Sequence, residues 1–86
     1  MEERFNRVKE LYRKLKKLTG YKQSDVADKF NISRQAVDQY SNNYSTVYQN
    51  CNKYMILTMV NMKIDEYKEK IKELEEFKQE VKEVKL

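Results

Sequence analysis

The sequence predicts an all-α protein, in which a three-helix N-terminal unit is followed by one long C-terminal helix that forms an intersubunit coiled coil. Two observations carry this prediction. The 86 residues include no Pro and one Gly, and 37% of them are charged, which is typical of long helices rather than of sheet or disordered chain. Apolar residues also recur at spacings of three and four along most of the chain. A chain of this length makes one small domain, and self-association would add considerably to its stability.

The first helix is predicted over residues 2–18. Acidic residues begin it, and Lys16 and Lys17 end it, so both ends complement the helix dipole. Gly20 follows as the stop, since Gly readily takes the left-handed conformation beyond a helix end. One stripe of the helix is apolar and consists of Phe5, Val8, Leu11, Tyr12, Leu15 and Leu18. This stripe is long enough to pack across two shorter helices.

Two short helices that meet at a sharp corner are predicted over residues 23–30 and 34–40. Between them, Asn31 suits a left-handed turn position better than any residue other than Gly, and Ile32 can plug the corner. Ser33 can then cap the second short helix. The predicted core of the three-helix unit consists of Leu11, Leu15, Leu18, Val26, Ala27, Phe30, Ile32, Val37 and Tyr40.

The stretch from Gln23 to Asn42 resembles the helix-turn-helix of lambdoid phage repressors and the wider Xre-like class. The family pattern is Gln, three residues, Ala, three residues, a turn residue, an aliphatic residue and Ser, with a further aliphatic residue four positions after the Ser. The matching residues are Gln23, Val26, Ala27, Asn31, Ile32, Ser33 and Val37. Asn31 stands where Gly is usual, and Lys22 where a Ser or Thr cap is common. The resemblance covers roughly residues 8 to 42 and implies binding to double-stranded DNA.

The outward face of the second short helix is the predicted base-reading surface. Arg can donate two hydrogen bonds to a guanine edge, and Gln can pair with adenine in the same way. The base-reading set, which the resemblance also implies, is Arg34, Gln35, Asp38 and Gln39. The predicted phosphate contacts are Lys16, Lys17, Lys22, Gln23, Ser33 and Asn42. Asp38 is the exception by charge, and we expect it to restrain Arg34, to accept from a cytosine amino group or to discriminate against wrong sites.

The placement of the net charge of +4 supports a polyanionic partner. Residues 1–18 hold seven basic and three acidic side chains, residues 19–44 hold three of each, and residues 45–86 hold eight of each. The excess therefore lies in the first helix, clustered at Arg13, Lys14, Lys16 and Lys17. Such a cluster can neutralise DNA phosphates, and a merely solvated helix face is the alternative interpretation.

One continuous helix is predicted from Thr46 to Leu86, because this segment has neither Gly nor Pro and Ser45 can cap its start. Residues 47–62 are apolar on nearly all sides, which predicts burial on more than one side. The residues that follow form a heptad seam, with Lys78 at one seam position. The seam consists of Val60, Ile64, Tyr67, Ile71, Leu74 and Val81.

The seam predicts a homodimer or a higher homo-oligomer, and the same helix offers a surface for a further protein. A helix folded back on its own domain is the alternative. Charges at the seam edges leave parallel and antiparallel pairing open, and Phe77 and Val84 lie one step off the strict heptad. The sequence thus divides into residues 1–44, a DNA-binding domain, and residues 45–86, a dimerisation helix.

Enzymatic chemistry has few candidate residues in this chain. It has no His, one Cys and one Gly, which excludes the usual metal-ligand sets and a Gly-rich phosphate loop. We therefore expect a non-enzyme without cofactor or metal. Cys51 cannot form an intramolecular disulfide, and the longest mostly apolar run, residues 54–62, is too short to span a bilayer. These features predict a soluble cytoplasmic protein that does not bind membranes.

The leading functional interpretation is a sequence-specific DNA-binding transcription regulator of the phage or mobile-element repressor type, dimerised so that two reading helices address two half-sites. A second interpretation keeps the DNA binding but assigns it to segregation, replication or packaging. A third is a protein-interaction adaptor of antirepressor or antitoxin type that does not bind DNA.

Overall fold

The computed structural model describes residues 2–85, together with the side chains of residues 7–85. Within this part the chain forms four helices and no strand, and these are α1 (Glu2–Thr19), α2 (Gln23–Phe30), α3 (Arg34–Ser41) and α4 (Thr46–Glu83). The all-α prediction is therefore confirmed, and the first three helices begin and end within one residue of the predicted bounds. The side chain of Phe5, which was assigned to the apolar stripe, lies outside the described residues, as does Leu86.

The helix ends follow local chemistry. Gly20 takes a φ of 82° just beyond α1, and its N–H donates to the carbonyl of Lys16 at 2.8 Å. Ser45 begins α4 by accepting a hydrogen bond from the N–H of Tyr48. Both residues act as predicted, because a Gly tolerates the left-handed region and a Ser oxygen satisfies a free N–H group.

The turn between α2 and α3 fixes how these two helices meet. Asn31 takes the left-handed conformation, with φ 55° and ψ 44°, and the N–H of Ile32 donates to the carbonyl of Ala27 at 3.0 Å. Ser33 Oγ then accepts from the N–H of Ala36 at 3.0 Å, which caps α3. Three consecutive residues thus end one helix, fill the corner and begin the next.

The core is built from all four helices. Its buried apolar members are Val8, Tyr12, Leu15, Val26, Ala27, Val37, Met55 and Met59. Phe30, Ile32 and Tyr40 pack against this cluster and are half-buried. The predicted core ended before residue 44 and was incomplete, because Met55 and Met59 of α4 complete it. It also lacked Val8 and Tyr12, which had been assigned only to the apolar stripe of the first helix.

Leu18 corrects the predicted core in the opposite direction. Its side chain is 62% exposed, although it continues the apolar stripe of α1. It lies in the last turn of α1, where only α4 runs alongside, and it lines an apolar groove between these two helices. Periodicity therefore identified the correct face of α1 but overestimated how far the core extends along it.

The two halves of α4 have different surroundings. Asn52, Met55 and Met59 are buried among the other helices, whereas every described residue from Ile64 to Lys85 is exposed. The 38 residues of α4 make the chain elongated, with principal extents of 64 × 26 × 17 Å. The second half projects beyond the core as a single helix.

Candidate nucleic-acid interface

A basic depression of about 370 Å³ opens where α1, the start of α2 and one face of α3 meet. Among the described residues that line it, five are basic and one is acidic. The basic residues are Lys9, Arg13, Lys16, Lys22 and Arg34, and the acidic residue is Asp38. Because three helices contribute these charges, the depression presents a positive surface to a polyanionic backbone.

The four residues predicted to read bases are all exposed on α3. Arg34 and Asp38 lie one helical turn apart and line the depression. Gln35 and Gln39 each follow one of them in the sequence, so they lie on the adjacent surface of α3, outside the depression. The structure therefore provides one continuous exposed face of α3 with its Arg beside the basic depression.

The six residues predicted to contact phosphates fall into two groups. Four line the depression, and these are Lys16, Lys22, Gln23 and Asn42. Lys17 and Ser33 lie outside it, although both are exposed. Ser33 has a local role as the cap of α3, but its hydroxyl hydrogen remains available to donate.

Lys22 begins α2 without using its side chain. A Lys ammonium has no acceptor, and the hydrogen bond at this position runs from the backbone N–H of Lys22 to the Asp25 carboxylate at 2.7 Å. The Asp25 carboxylate thereby satisfies the N–H of Lys22, which is not one of the N–H groups that a Ser or Thr cap would bond, and it complements the positive end of the helix dipole. The Lys22 ammonium is left at the rim of the depression.

Asp38 does not pair with Arg34. Among the described side chains, no salt bridge joins the two residues, so the expected restraint of Arg34 is not observed. The backbone carbonyl of Asp38 instead accepts from Ser41 Oγ at 2.9 Å and from Asn42 Nδ2 at 2.8 Å. These bonds secure the end of α3, and the Arg34 guanidinium and the Asp38 carboxylate both remain exposed.

A buried polar network holds α3 in place from behind. Asn52, which is 1% exposed, accepts a hydrogen bond from the Tyr12 hydroxyl at 2.9 Å and donates to the carbonyl of Tyr40 at 2.9 Å. One side chain of α4 thus joins α1 to the end of α3. Burial raises the pKa of the Tyr12 hydroxyl, and the neighbouring Cys51 adds to the shift. The network was absent from the sequence interpretation, because an Asn in an apolar run gives no sign of its distant partners.

The basic cluster of the first helix is divided by the structure. Arg13 and Lys16 line the depression, Lys14 borders the apolar groove on another side of α1, and Lys17 lines neither. Lys9 joins Arg13 and Lys16, although the sequence interpretation did not single it out. Lys9 precedes Arg13 by four residues, and Arg13 precedes Lys16 by three, so all three lie on one face of the helix. This spacing is the signal that could have identified Lys9.

The predicted dimerisation residues form one stripe along α4. Val60 is half-buried and packs against the core of its own chain. The rest of the stripe is exposed, and it consists of Ile64, Tyr67, Ile71, Leu74 and Val81. Ile64 and Tyr67 border the end of α1, whereas Ile71, Leu74 and Val81 lie on the part of α4 that projects beyond the core.

Among the described side chains of residues 7–85, no group of three or more His, Cys, Asp or Glu residues is arranged to hold a metal ion. None of the four helices, as far as they are described, combines the length and the apolar character needed to cross a membrane. No family model matches the chain, and neither the curated proteins nor the solved structures include a match.

Proposed function

We propose that the protein is a sequence-specific DNA-binding regulator of repressor type, which acts as a homodimer held by α4. The observation that carries the proposal is the basic depression. It combines Lys and Arg side chains of α1 and α2 with the exposed Arg34 of α3. Positive charges that can attract any DNA duplex therefore lie beside a side chain that can read a base.

The two kinds of contact have different roles. Lys16 and Lys22 contact phosphates and supply affinity for any duplex, since neutralising phosphates releases counterions. Arg34, Gln35 and Gln39 contact base edges in the major groove and supply preference for one sequence. The buried bonds of Asn52 keep α3 at a fixed position relative to α1, so both sets of contacts can form at once.

The test begins with a selection of bound fragments from genomic DNA, which defines a cognate site. Replacing Arg34 and Gln39 by Ala should then remove the preference for that site but retain weak general binding. Each two-pronged base contact contributes about 1–3 kcal/mol of discrimination. An equal loss of affinity on cognate and random DNA would contradict the assignment of α3 as the reading helix.

Replacing Lys16 and Lys22 by Ala should weaken binding to all sequences and reduce the salt dependence by about one unit of slope for each phosphate that is no longer neutralised. The Lys22 change leaves the backbone bond to Asp25 intact, so α2 keeps its start. Lys72→Ala, on the exposed second half of α4, is the matched control for removal of one charge. If no DNA binds at low salt and a protein co-purifies instead, the adaptor interpretation replaces this one.

A further inference from the structure

An apolar groove of about 360 Å³ runs between the end of α1 and the middle of α4. Its apolar lining includes Leu11, Leu15, Leu18, Val60, Ile64 and Tyr67. Ile64 is 43% exposed and Tyr67 is 54% exposed, and both also belong to the seam that continues to Val81. The groove and the seam therefore form one continuous apolar surface, which begins on the core and ends near the tip of α4.

The groove lies along one edge of the seam. With Ile64 and Ile71 at the first heptad position, one edge of α4 carries Ile56, Lys63, Lys70 and Phe77, and Val84 continues this edge just beyond the last residue of the helix. The opposite edge carries Asn61, Lys68, Glu75 and Lys82. Ile56 and Lys63 line the groove, and the Lys63 ammonium lies 4.7 Å from the ring centroid of Tyr21. The described lining includes no residue of the opposite edge, so α1 runs along the edge that carries Phe77 and Val84.

We propose that a second copy of the chain docks on this surface with its α4 antiparallel, so that the last turns of the partner's α4 fill the groove. The register sets Ile71 opposite the partner's Leu74, Ile64 opposite the partner's Val81 and Tyr67 opposite the partner's Lys78. Like edges of two antiparallel helices face each other, which brings the partner's Val84 beside Leu18. The inference rests on the self-association in the proposed function and is independent of DNA binding.

Charge complementarity favours the antiparallel arrangement. It pairs Lys68 with the partner's Glu75, and symmetry forms this pair twice. A parallel pairing in register would pair Lys70 with the partner's Glu75, but it would also set Lys63 against the partner's Lys68, so its edge charges cancel. It would also bring Lys78 against the partner's Lys78 inside the seam, where two like charges lose hydration and gain no partner.

Apolar complementarity agrees with the charges. A parallel partner would turn its polar edge, with Asn61 and Lys68, toward the groove and Leu18. An antiparallel partner turns Phe77 and Val84 toward it, and these two residues are 60% and 59% exposed in the single chain. Phe77 can then pack on the aliphatic stem of the partner's Lys70. The antiparallel pairing thus accounts for the two apolar residues that depart from the strict heptad.

A crosslink between two different helices tests the orientation without DNA. In a Cys51→Ser background, which removes the exposed native thiol, one chain receives Leu18→Cys and Val84→Cys. Leu18 borders the groove beside Val60, and Val84 follows 24 residues later, about 36 Å along the helix axis. A short bismaleimide cannot join the two thiols within one chain. A covalent dimer formed by this double variant, but by neither single variant, is the expected result.

Val81→Cys in the same background is the matched control. In the antiparallel register the two copies of residue 81 lie about 25 Å apart along the axis, so they should not crosslink. In a parallel dimer they face each other and crosslink readily. A crosslink at residue 81 without one between residues 18 and 84, in a chain that sediments as a dimer, would overturn the orientation and retain the self-association.

Charge reversal provides a readout that needs no crosslinker. Lys68→Glu replaces two attractive pairs by two repulsive ones, so sedimentation should show a roughly tenfold weaker dimer, and Glu75→Lys in the same chain should restore it. A parallel dimer would respond with the opposite sign, because Lys68→Glu removes its contact between like charges.

A chain that remains monomeric at all concentrations would overturn both this inference and the proposed self-association. The DNA-binding variants of α1–α3 would still test the rest of the proposed function.

Discussion

The two halves of α4 belong to one uninterrupted helix and have opposite surroundings. In the first half, Met55 and Met59 are at most 4% exposed and pack among three other helices. In the second half, Ile71 and Leu74 lie on another face of the helix, at the seam positions, and are more than half exposed. The local sequence alone therefore does not determine burial, because both halves carry an apolar stripe and only the first half lies within reach of α1–α3.

The difference identifies which half needs an external partner. A lone helix of this length and composition is marginal in water, since most helical stability in proteins comes from packing of the apolar face. The first half obtains this packing on one face only, through Met55 and Met59. Val47, Tyr54 and Leu57 stay exposed, so the predicted burial of residues 47–62 on more than one side is not observed within the chain. The second half retains a stripe of exposed apolar side chains along several turns, and under the proposed self-association a second subunit would cover it.

Charged substitutions in the seam should give the largest effect. Ile71→Lys together with Leu74→Lys would bury unpaired charge between two subunits, at about 3–5 kcal/mol for each uncompensated charge. We expect a folded monomer in sedimentation, because Met55 and Met59 remain in place. Glu73→Lys with Glu76→Lys, off the seam, should leave the dimer intact. If the seam variant stays oligomeric, the subunit contacts must come from residues 47–62.

Truncation in the first half should give the next largest effect, on folding rather than on association. Met59→Ala removes a side chain that is 1% exposed and should lower the free energy of unfolding by about 2–5 kcal/mol. Leu74→Ala should change it by less than about 0.5 kcal/mol at concentrations where the chain is monomeric. Urea denaturation of both variants at low concentration checks the contrast. Equal losses would mean that the second half of α4 also folds onto its own chain.

Raising the pH from 10 to 11 should give the smallest effect, and it should act through Tyr12 of α1, whose hydroxyl bonds to Asn52 in the first half of α4. Burial raises the pKa of Tyr12 above its ordinary value of 10.0, so folding favours the neutral hydroxyl. The stabilisation is complete below pH 10 and is lost as the pH rises toward the folded pKa, at about 1.4 kcal/mol per pH unit. Tyr12→Phe should remove this part of the pH dependence in denaturant titrations. Tyr67→Phe, in the exposed half, is the matched control, and an identical pH profile in wild type and Tyr12→Phe would contradict the role of Tyr12.

The sequence predicted most helix ends well, because each end depends on a few neighbouring residues. Gly20, Asn31, Ser33 and Ser45 all act as expected through their own backbone or side-chain chemistry. The end of α4 was predicted three residues too late, since the helix stops at Glu83. The bond of Asp25 to the Lys22 N–H, at the start of α2, was not foreseen.

The core and the candidate interface were predicted less completely, because they depend on residues far apart in the chain. Asn52 finds its partners 40 and 12 residues earlier, at Tyr12 and Tyr40, and no local pattern encodes such contacts. The basic residues of α1 were identified as a cluster, but their division between a depression and an apolar groove follows from where α3 and α4 pack. The DNA contacts, the seam and the division at residue 44 stay predictions.

Because α4 runs without interruption from the core to its tip, the stability of the fold would depend on the concentration of the protein. No Gly or Pro separates the residues that complete the core from those that would join two subunits, so the helix offers no hinge at which the two functions could separate. Under the proposed self-association, folding and assembly are linked by mass action, and the melting temperature rises with protein concentration. Dilution would then weaken the fold and the occupancy of a paired DNA site together. The number of copies of the protein in the cell would thereby regulate how much of the DNA site is occupied.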